Sequence, residues 1–278
     1  MLQRIPLTLL TAFIFTNLPA QQPADAPAEH RGFANFRQQN SKFGPAKFYI
    51  AYGYNKEWYS KSDLRFYDPS RSYDFTLHDM AAKDRPQLRD IMRVQLSIPQ
   101  YGYRAGYYFR HSPFGLEINF DHAKYIVTDM QTVRMKGFVG EQVIDADTLV
   151  DFMHLEHTDG ANFLMLNGLR RWQFFQGKYS RMLGVLKLGA GIVVPRSDVR
   201  LWEERNNHCF HVAGQIAGAE GGLRWEPCSF FFLEATAKGC FANYNKVLGV
   251  GDGLVSHRFW TGALLLHAGF QLRAGKKD

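Results

Sequence analysis

The densest run of groups able to do acid–base or nucleophilic chemistry is His154-Leu155-Glu156-His157-Thr158-Asp159. On an extended backbone His154, Glu156 and Thr158 share one face, while His157 and Asp159 share the other. The HxxH spacing therefore sends its imidazoles to opposite faces, which disfavours joint ligation of a metal. A His–Glu or His–Asp pair on one face could instead activate a serine brought from another strand for acyl transfer. His154, Glu156 and His157 are thus the catalytic candidates should the chain be an enzyme, although no GxSxG nucleophile motif accompanies them. The plainer role for these side chains is hydrogen bonding to neighbours at the rim of a sheet. His78-Asp79 and Asp121-His122 are adjacent pairs whose members face opposite ways. Gly249, Gly251 and Gly253 mimic a phosphate loop, but no helical pattern and no Lys-Ser/Thr follows them. Cys209, Cys228 and Cys240 form no CxxC ligand pair. Neither a metal nor a cofactor is expected.

A second set of charges recurs with a period of two. In the hairpin from His211 to Asn245, Phe231, Leu233, Ala235 and Ala237 lie on one side, and Glu234, Thr236 and Lys238 on the other. In its first arm Ala217, Ala219, Leu223 and Trp225 oppose Glu220 and Arg224. Such alternation means strands, because successive strand side chains point to opposite faces. Carried along the chain, it assigns an inward set of Arg104, Arg110, Glu117, Asp121, Arg171, Lys187, Glu220, Arg224, Glu234 and Lys238. Six bases against four acids come close to balance, and buried charges are tolerated only when paired and hydrogen-bonded. The set reads as ion pairs filling a barrel lumen. The sharper alternative is a narrow path with a slight preference for anions.

The elements that would position these charges are long strands with charges inside and aromatics near their ends, as in a membrane barrel. Composition agrees: 23 Phe, 13 Tyr and 25 Gly among 278 residues favour strands over a helical bundle. No run reaches the roughly 18 apolar residues of a spanning helix. A soluble sandwich or lipocalin-like barrel is the competing architecture. Short turns fall at 111–113, 176–178 and 227–228, and long connections at about 68–96, 129–149, 197–209 and 246–255. They alternate throughout if 150–175 is one strand. The expected fold is all-β, an antiparallel transmembrane barrel of eight strands with both termini in the periplasm. Ten strands result if YDFTLHDMAAKD also spans and Asp159-Gly160 turns. Counting from a turn at 227–228 puts Cys240 opposite about residue 215, out of reach of Cys209, so no obligatory disulfide is expected.

Residues 1–20 join a basic start at Arg4 to an apolar run from Ile5 to Leu18 and a small residue at Ala20, the pattern of a cleaved secretory signal peptide. Residues 21–45 are rich in Gln, Pro and Ala and read as a flexible periplasmic leader. The barrel would cover 46–273, leaving a polar tail at 274–278. The net charge of +7 is scattered among loops and ends. It builds no continuous basic face for nucleic acid, though basic loops could meet anionic lipid headgroups.

With its signal peptide, aromatic-flanked alternating strands and a last strand carrying Phe270, the region 46–273 resembles the small outer-membrane β-barrel proteins of Gram-negative bacteria. It departs from their usual pattern in ending on RAGKKD rather than an aromatic. The segments YDFTLHDMAAKDRP and LEHTDG are similar to those of uncharacterised exported barrels of the Bacteroides lineage. The resemblance implies an outer-membrane location and carries no activity. The expectation is a monomer among outer-membrane lipids, lipopolysaccharide included, with a structural or loop-mediated binding role. An enzyme acting on lipid acyl chains, a hydrolase or acyltransferase, is the second reading, and a small-solute pore the third.

Overall fold

A computed structural model describes residues 43–86, 100–157, 159–207 and 209–275. The expected signal peptide, nearly all of the leader and the end of the polar tail lie outside the described residues. In chain order, β1 (Lys47–Tyr59) is followed by a hairpin of β2 (Ser62–Asp68) and β3 (Tyr73–Met80), then a two-residue β4 (Ala82–Lys83). β5 (Tyr101–Tyr108) and β6 (Phe114–Asp121) precede an excursion of four strands: β7 (Tyr125–Val127), β8 (Gln131–Val139), β9 (Gln142–Val150) and β10 (Met153–His157). β11 (Phe163–Gln176) and β12 (Arg181–Val193) lead to a small hairpin, β13 (Asp198–Leu201) and β14 (Glu204–Asn207). The long strands β15 (Gly214–Glu226), β16 (Phe231–Leu248) and β17 (Leu254–Arg273) complete the chain.

Every pairing is antiparallel, and the order β1-β5-β6-β11-β12-β15-β16-β17 closes on itself through β1 and β17. The result is an antiparallel β-barrel of the transmembrane kind. Its outer wall carries Ile118, Leu166, Leu188, Leu264 and Leu266, each more than half exposed. Trp58 and Trp260 bound this band at the end of the long connections, and Trp172, Trp225 and Phe270 at the end of the short turns. Apolar wall, aromatic belts and a polar inside are what a spanning barrel requires.

Above the long-connection belt the chain builds a lobe that the alternation alone did not disclose. At Leu254–Ser256, β17 takes β2 as a neighbour, and β3, β8 and β9 follow in order. A separate sheet, β14-β13-β10-β7-β4, packs against this branch and the upper barrel. Phe66, Leu77 and Met135 of the branch, Tyr125, Leu155 and Val199 of the small sheet, and Phe163, Val193 and Phe259 of the barrel form one continuous buried cluster. The Asp68-Pro69 turn signal is a single 3-10 turn, Pro69–Arg71, whose first amides are capped by the Asp68 carboxylate, 2.9 Å from Ser70 N.

Several sequence boundaries move. Residues 150–175 are two strands, β10 in the small sheet and β11 in the barrel, with Gly160 and Asn162 at positive φ between them. The stretch 129–149, read as a long connection, is the β8–β9 hairpin. β16 and β17 run on to Leu248 and from Leu254, so 246–255 is a tight hairpin tip. YDFTLHDM is β3, outside the barrel circuit. The turn at 227–228 takes four residues, 227–230, which shifts the register so that Cys240 faces Gly218. A Cβ at Gly218 would lie 2.4 Å from the Cys240 sulfur, so that glycine makes room for the thiol. All three cysteines are unpaired.

Phe75 anchors the lobe, stacked on Phe66 at 5.2 Å and set against Tyr73, Phe152 and Trp202. Phe75→Ala should cost the lobe about 3–5 kcal/mol. Limited proteolysis should then cut the long connections sooner, while the heat-dependent gel mobility of a folded barrel persists.

Candidate functional site

Two clusters collect the chemically capable residues, one inside the barrel and one in the outer lobe. Inside, the period of two places one charge per turn of the pleat on facing strands, and the closed circuit brings them into contact. Lys187 of β12 stands at the centre. Its Nζ lies 3.0 Å from Glu117 Oε2, 2.9 Å from Glu220 Oε1 and 2.7 Å from Glu234 Oε1. Those carboxylates come from β6, β15 and β16, so one ammonium ties four strands across the barrel. Arg104 reaches Asp121 at 2.6 Å and stands 3.7 Å from both Glu117 and Glu220. Lys238 completes Asp121 from the other side at 2.7 Å. Arg224 Nε meets Glu234 Oε2 at 2.6 Å. All these side chains are buried.

Neutral groups fill some of the remaining bonding directions. Tyr49 donates to Glu117 at 2.6 Å and Thr236 to Glu220 at 2.9 Å. Asn119 donates to Asp121 at 2.8 Å, and Asn167 to Asn119 at 2.6 Å. Towards the short turns the compensation changes character. The Arg224 guanidinium lies 3.9 Å from the Phe232 ring centre and 4.5 Å from that of Tyr49. Arg171 lies 3.9 Å from the Tyr108 ring centre and donates to the carbonyls of Phe43 and Ser112. Cation–π contacts of this kind are stronger where water is excluded.

Nine of the ten sequence-assigned lumen charges thus point inside, and Arg110 does not. It lies beyond the end of β5, exposed in the turn to β6, with its Nε 3.2 Å from His111 Nε2. Alternation continues on paper past a strand end, but pairing does not. The same cause hid other members. Arg181 and Glu226 face each other across β12 and β15 and bond at 2.6 Å, and Lys47 joins Glu226 at 3.6 Å. All three sit at strand termini. Glu57, which accepts from Thr261, was also missed, although the alternation of β1 signals it. His267, which the alternation of β17 turns inward, lies beside Gly53 and Gly102.

In the outer lobe, β10 splits the histidine run. His154 and Glu156 come together on one face, His154 Nε2 3.6 Å from Glu156 Oε2 and its Nδ1 2.8 Å from Asp129. His157 points the other way into the core. Its Nδ1 lies 2.8 Å from Ser197 Oγ and its Nε2 3.2 Å from His257 Nε2. Tyr125 and Tyr244 stack on its ring at 5.7 and 5.1 Å. A serine does stand beside this histidine, yet both are essentially without exposure. The third member is an imidazole rather than a carboxylate, and a reacting carbonyl has no approach of about 3 Å to the hydroxyl. Among the described residues no group of three or more His, Cys, Asp and Glu side chains is placed to hold a metal ion.

No family model matches the sequence, and no curated protein matches it. Among solved structures the chain is similar to small outer-membrane β-barrel proteins. The outer membrane protein AlkL, determined in lipid bilayers, shares 9% identity at a TM-score of 0.37, over 92% of this chain and 100% of that one. OprG from Pseudomonas aeruginosa shares 11% at 0.33, over 83% and 97%. The attachment invasion locus protein Ail of Yersinia pestis shares 13% at 0.31, over 82% and 99%. Likenesses at this level assign no activity.

Two predictions follow from the clusters. Lys187→Met strands Glu117, Glu220 and Glu234 around an apolar group. Breaking a buried ion pair from one side costs about 3–5 kcal/mol, so the urea midpoint of the detergent-folded protein should fall, and adding Glu234→Gln should restore part of the loss. The second concerns acid. Burial pushes His157 down to about 3 from its ordinary 6.5, with the nearby His211 acting in the same direction. His257, Tyr125, Tyr244 and Ser197 are the groups that face it. The unfolded chain therefore binds a proton below pH 6.5 that the folded lobe refuses. Stability is complete above that pH and declines as the pH falls towards 3, by roughly 2–3 kcal/mol at pH 4.5. The hydrogen-exchange protection factors of β10 and β13, corrected for the intrinsic rate at each pH, should fall between pH 7 and pH 4.5, and His157→Gln should flatten that dependence.

Proposed function

We propose that the protein is an eight-stranded, monomeric outer-membrane barrel whose lumen is closed by its ion pairs and whose role is structural or binding through the outer lobe. The reading includes export on a cleaved signal peptide, both termini in the periplasm, and outer-membrane lipids, lipopolysaccharide among them, as neighbours. The likeness of the segments YDFTLHDMAAKDRP and LEHTDG to barrels of the Bacteroides lineage adds a candidate source and no activity. The observation that carries the proposal is Lys187, which holds carboxylates of three other strands within 3.0 Å. A path for solutes along the axis would have to part those contacts, and the interior of an eight-stranded ring has room for little besides side chains. The lobe, by contrast, presents exposed polar surface on an ordered core, the arrangement that suits recognition.

Fractionation with boiled and unboiled gel samples tests the placement. Recovery in the outer membrane with a heat-dependent mobility shift is expected, and soluble recovery without a shift would overturn it. Planar-bilayer recording tests the closed lumen. The wild-type protein should be silent, and the pair Lys187→Ala with Arg104→Ala should give discrete conductance if it still folds. Steady wild-type conductance would return the molecule to the pore reading.

A further inference from the structure

A polar groove of 660 Å3 lies on the outer face where β2 parts from β17. Its height on the barrel is set by register. On the outward face of β17, Leu266 and Leu264 belong to the apolar band, Trp260 follows beside Phe241 at 5.2 Å, and Arg258 comes next beside Asn243. Arg258 therefore stands two residues, roughly 6.6 Å, beyond the aromatic belt. Ser60 is bonded twice to the Trp260 backbone, at 2.9 and 3.0 Å, which fixes Lys61 at the same level. Trp rings of such belts sit at the depth of lipid headgroups. The groove thus opens at the level where the phosphates of an outer leaflet lie.

The chemistry of the walls is mixed. Arg65 is spent on Asp74 at 2.6 Å, and His78 lies 3.3 Å from Asp63. Arg258 and Lys61 enter no ion pair among the described residues, and the side-chain amides of Asn243 and Asn245 bond to no protein group there. His257 lies behind the groove, buried on the face of β17 opposite Arg258, and offers it no polar atom. Two unspent cations at headgroup depth suit a phosphate. The amides and the carboxylates of Asp63 and Asp79 suit the hydroxyls of a sugar, since amides donate and accept while carboxylates only accept. A plain anion site would carry no acids, and a zwitterionic amine headgroup would not call for two cations.

We infer that this groove holds the phosphorylated sugar headgroup of an outer-leaflet glycolipid, with Arg258 and Lys61 on the phosphate and Asn243 and Asn245 on the saccharide. The inference rests on the outer-membrane reading above and deepens it by naming the site and ligand class. The bound chain keeps its acyl tails against the Trp260–Leu264 wall, so no part of the lipid leaves the membrane.

The full chain folded in zwitterionic micelles tests this by native mass spectrometry. The probes are a monophosphorylated, acylated glucosamine disaccharide, the same lipid without phosphate, and soluble glucosamine 1-phosphate as competitor. The wild type should retain the phosphorylated lipid, and dephosphorylation should weaken retention about tenfold or more, the weight of a charged hydrogen bond. Arg258→Gln with Lys61→Gln should lose as much, whereas Arg134→Gln, on the exposed β8–β9 hairpin, should retain the lipid unchanged. Equal retention by the double variant, or equal binding without phosphate, would overturn the site. Displacement by the soluble sugar phosphate at matched concentration would overturn the lipid as its source. Heat-dependent mobility of each variant is read separately, so a barrel that fails to fold is not mistaken for an empty groove.

Discussion

Everything in the barrel depends on keeping buried charge compensated. A lysine surrounded by three carboxylates in a poorly polarisable interior is stable only as a complete set, because each unpaired member would bear its desolvation cost alone. Completeness in turn demands register. A slip of one residue in β12 would turn Lys187 to the outer wall and bring Leu186 and Leu188 inside. The apolar wall and the charged interior therefore specify the same pairing from opposite sides, and neither works without the other. That double constraint explains why the barrel strands, unlike the excursions, carry their alternation so cleanly.

The same constraint decides what could be read before any coordinates. Wherever a strand has lipid on one side and ion pairs on the other, residues such as Glu234, Thr236 and Lys238 announce their face. At strand ends the rule has nothing to act on. Arg110 continues the pattern of β5 but lies past the last pair, while Arg181 and Glu226 were passed over although they close the network. The β8 and β9 segments fail for a different reason. Arg134, Lys136, Asp145 and Asp147 are all exposed, and Val143 and Leu149 are exposed with them. A hairpin wet on one face and thinly covered on the other has no strong period to show. The break between β10 and β11 was concealed because both pieces are strands, and only the positive φ at Gly160 and Asn162 separates them.

The histidine run illustrates how topology overrides local spacing. HxxH on a strand separates its rings, and that much was legible. The partners of each ring were not, since Ser197 and His257 lie 40 and 100 residues away. His157 ends in an aromatic stack that joins β10 to β16 and β17, a structural position in a core rather than a mouth. His154 and Glu156 remain on the surface beside Asp129. Chemistry that needed all three together is excluded by the geometry of the strand that carries them.

Charge along the barrel axis is uneven, and the unevenness bears on what the interior can do. Lys47, Arg171, Arg181 and Arg224 crowd the short-turn end, where Glu226 and Glu234 are the nearby acids. In water such an excess would invite small anions. Here the guanidinium faces of Arg171 and Arg224 are covered by Tyr108, Phe232 and Tyr49, and ring faces satisfy a cation without offering a mobile partner. An entering anion would have to displace aromatic packing as well as carboxylates. The positive end is thus compensated by rings as well as by acids. The exposed bases Arg258 and Lys61, which enter no ion pair among the described residues, lie at the opposite end, on the outside of the barrel rather than in the lumen.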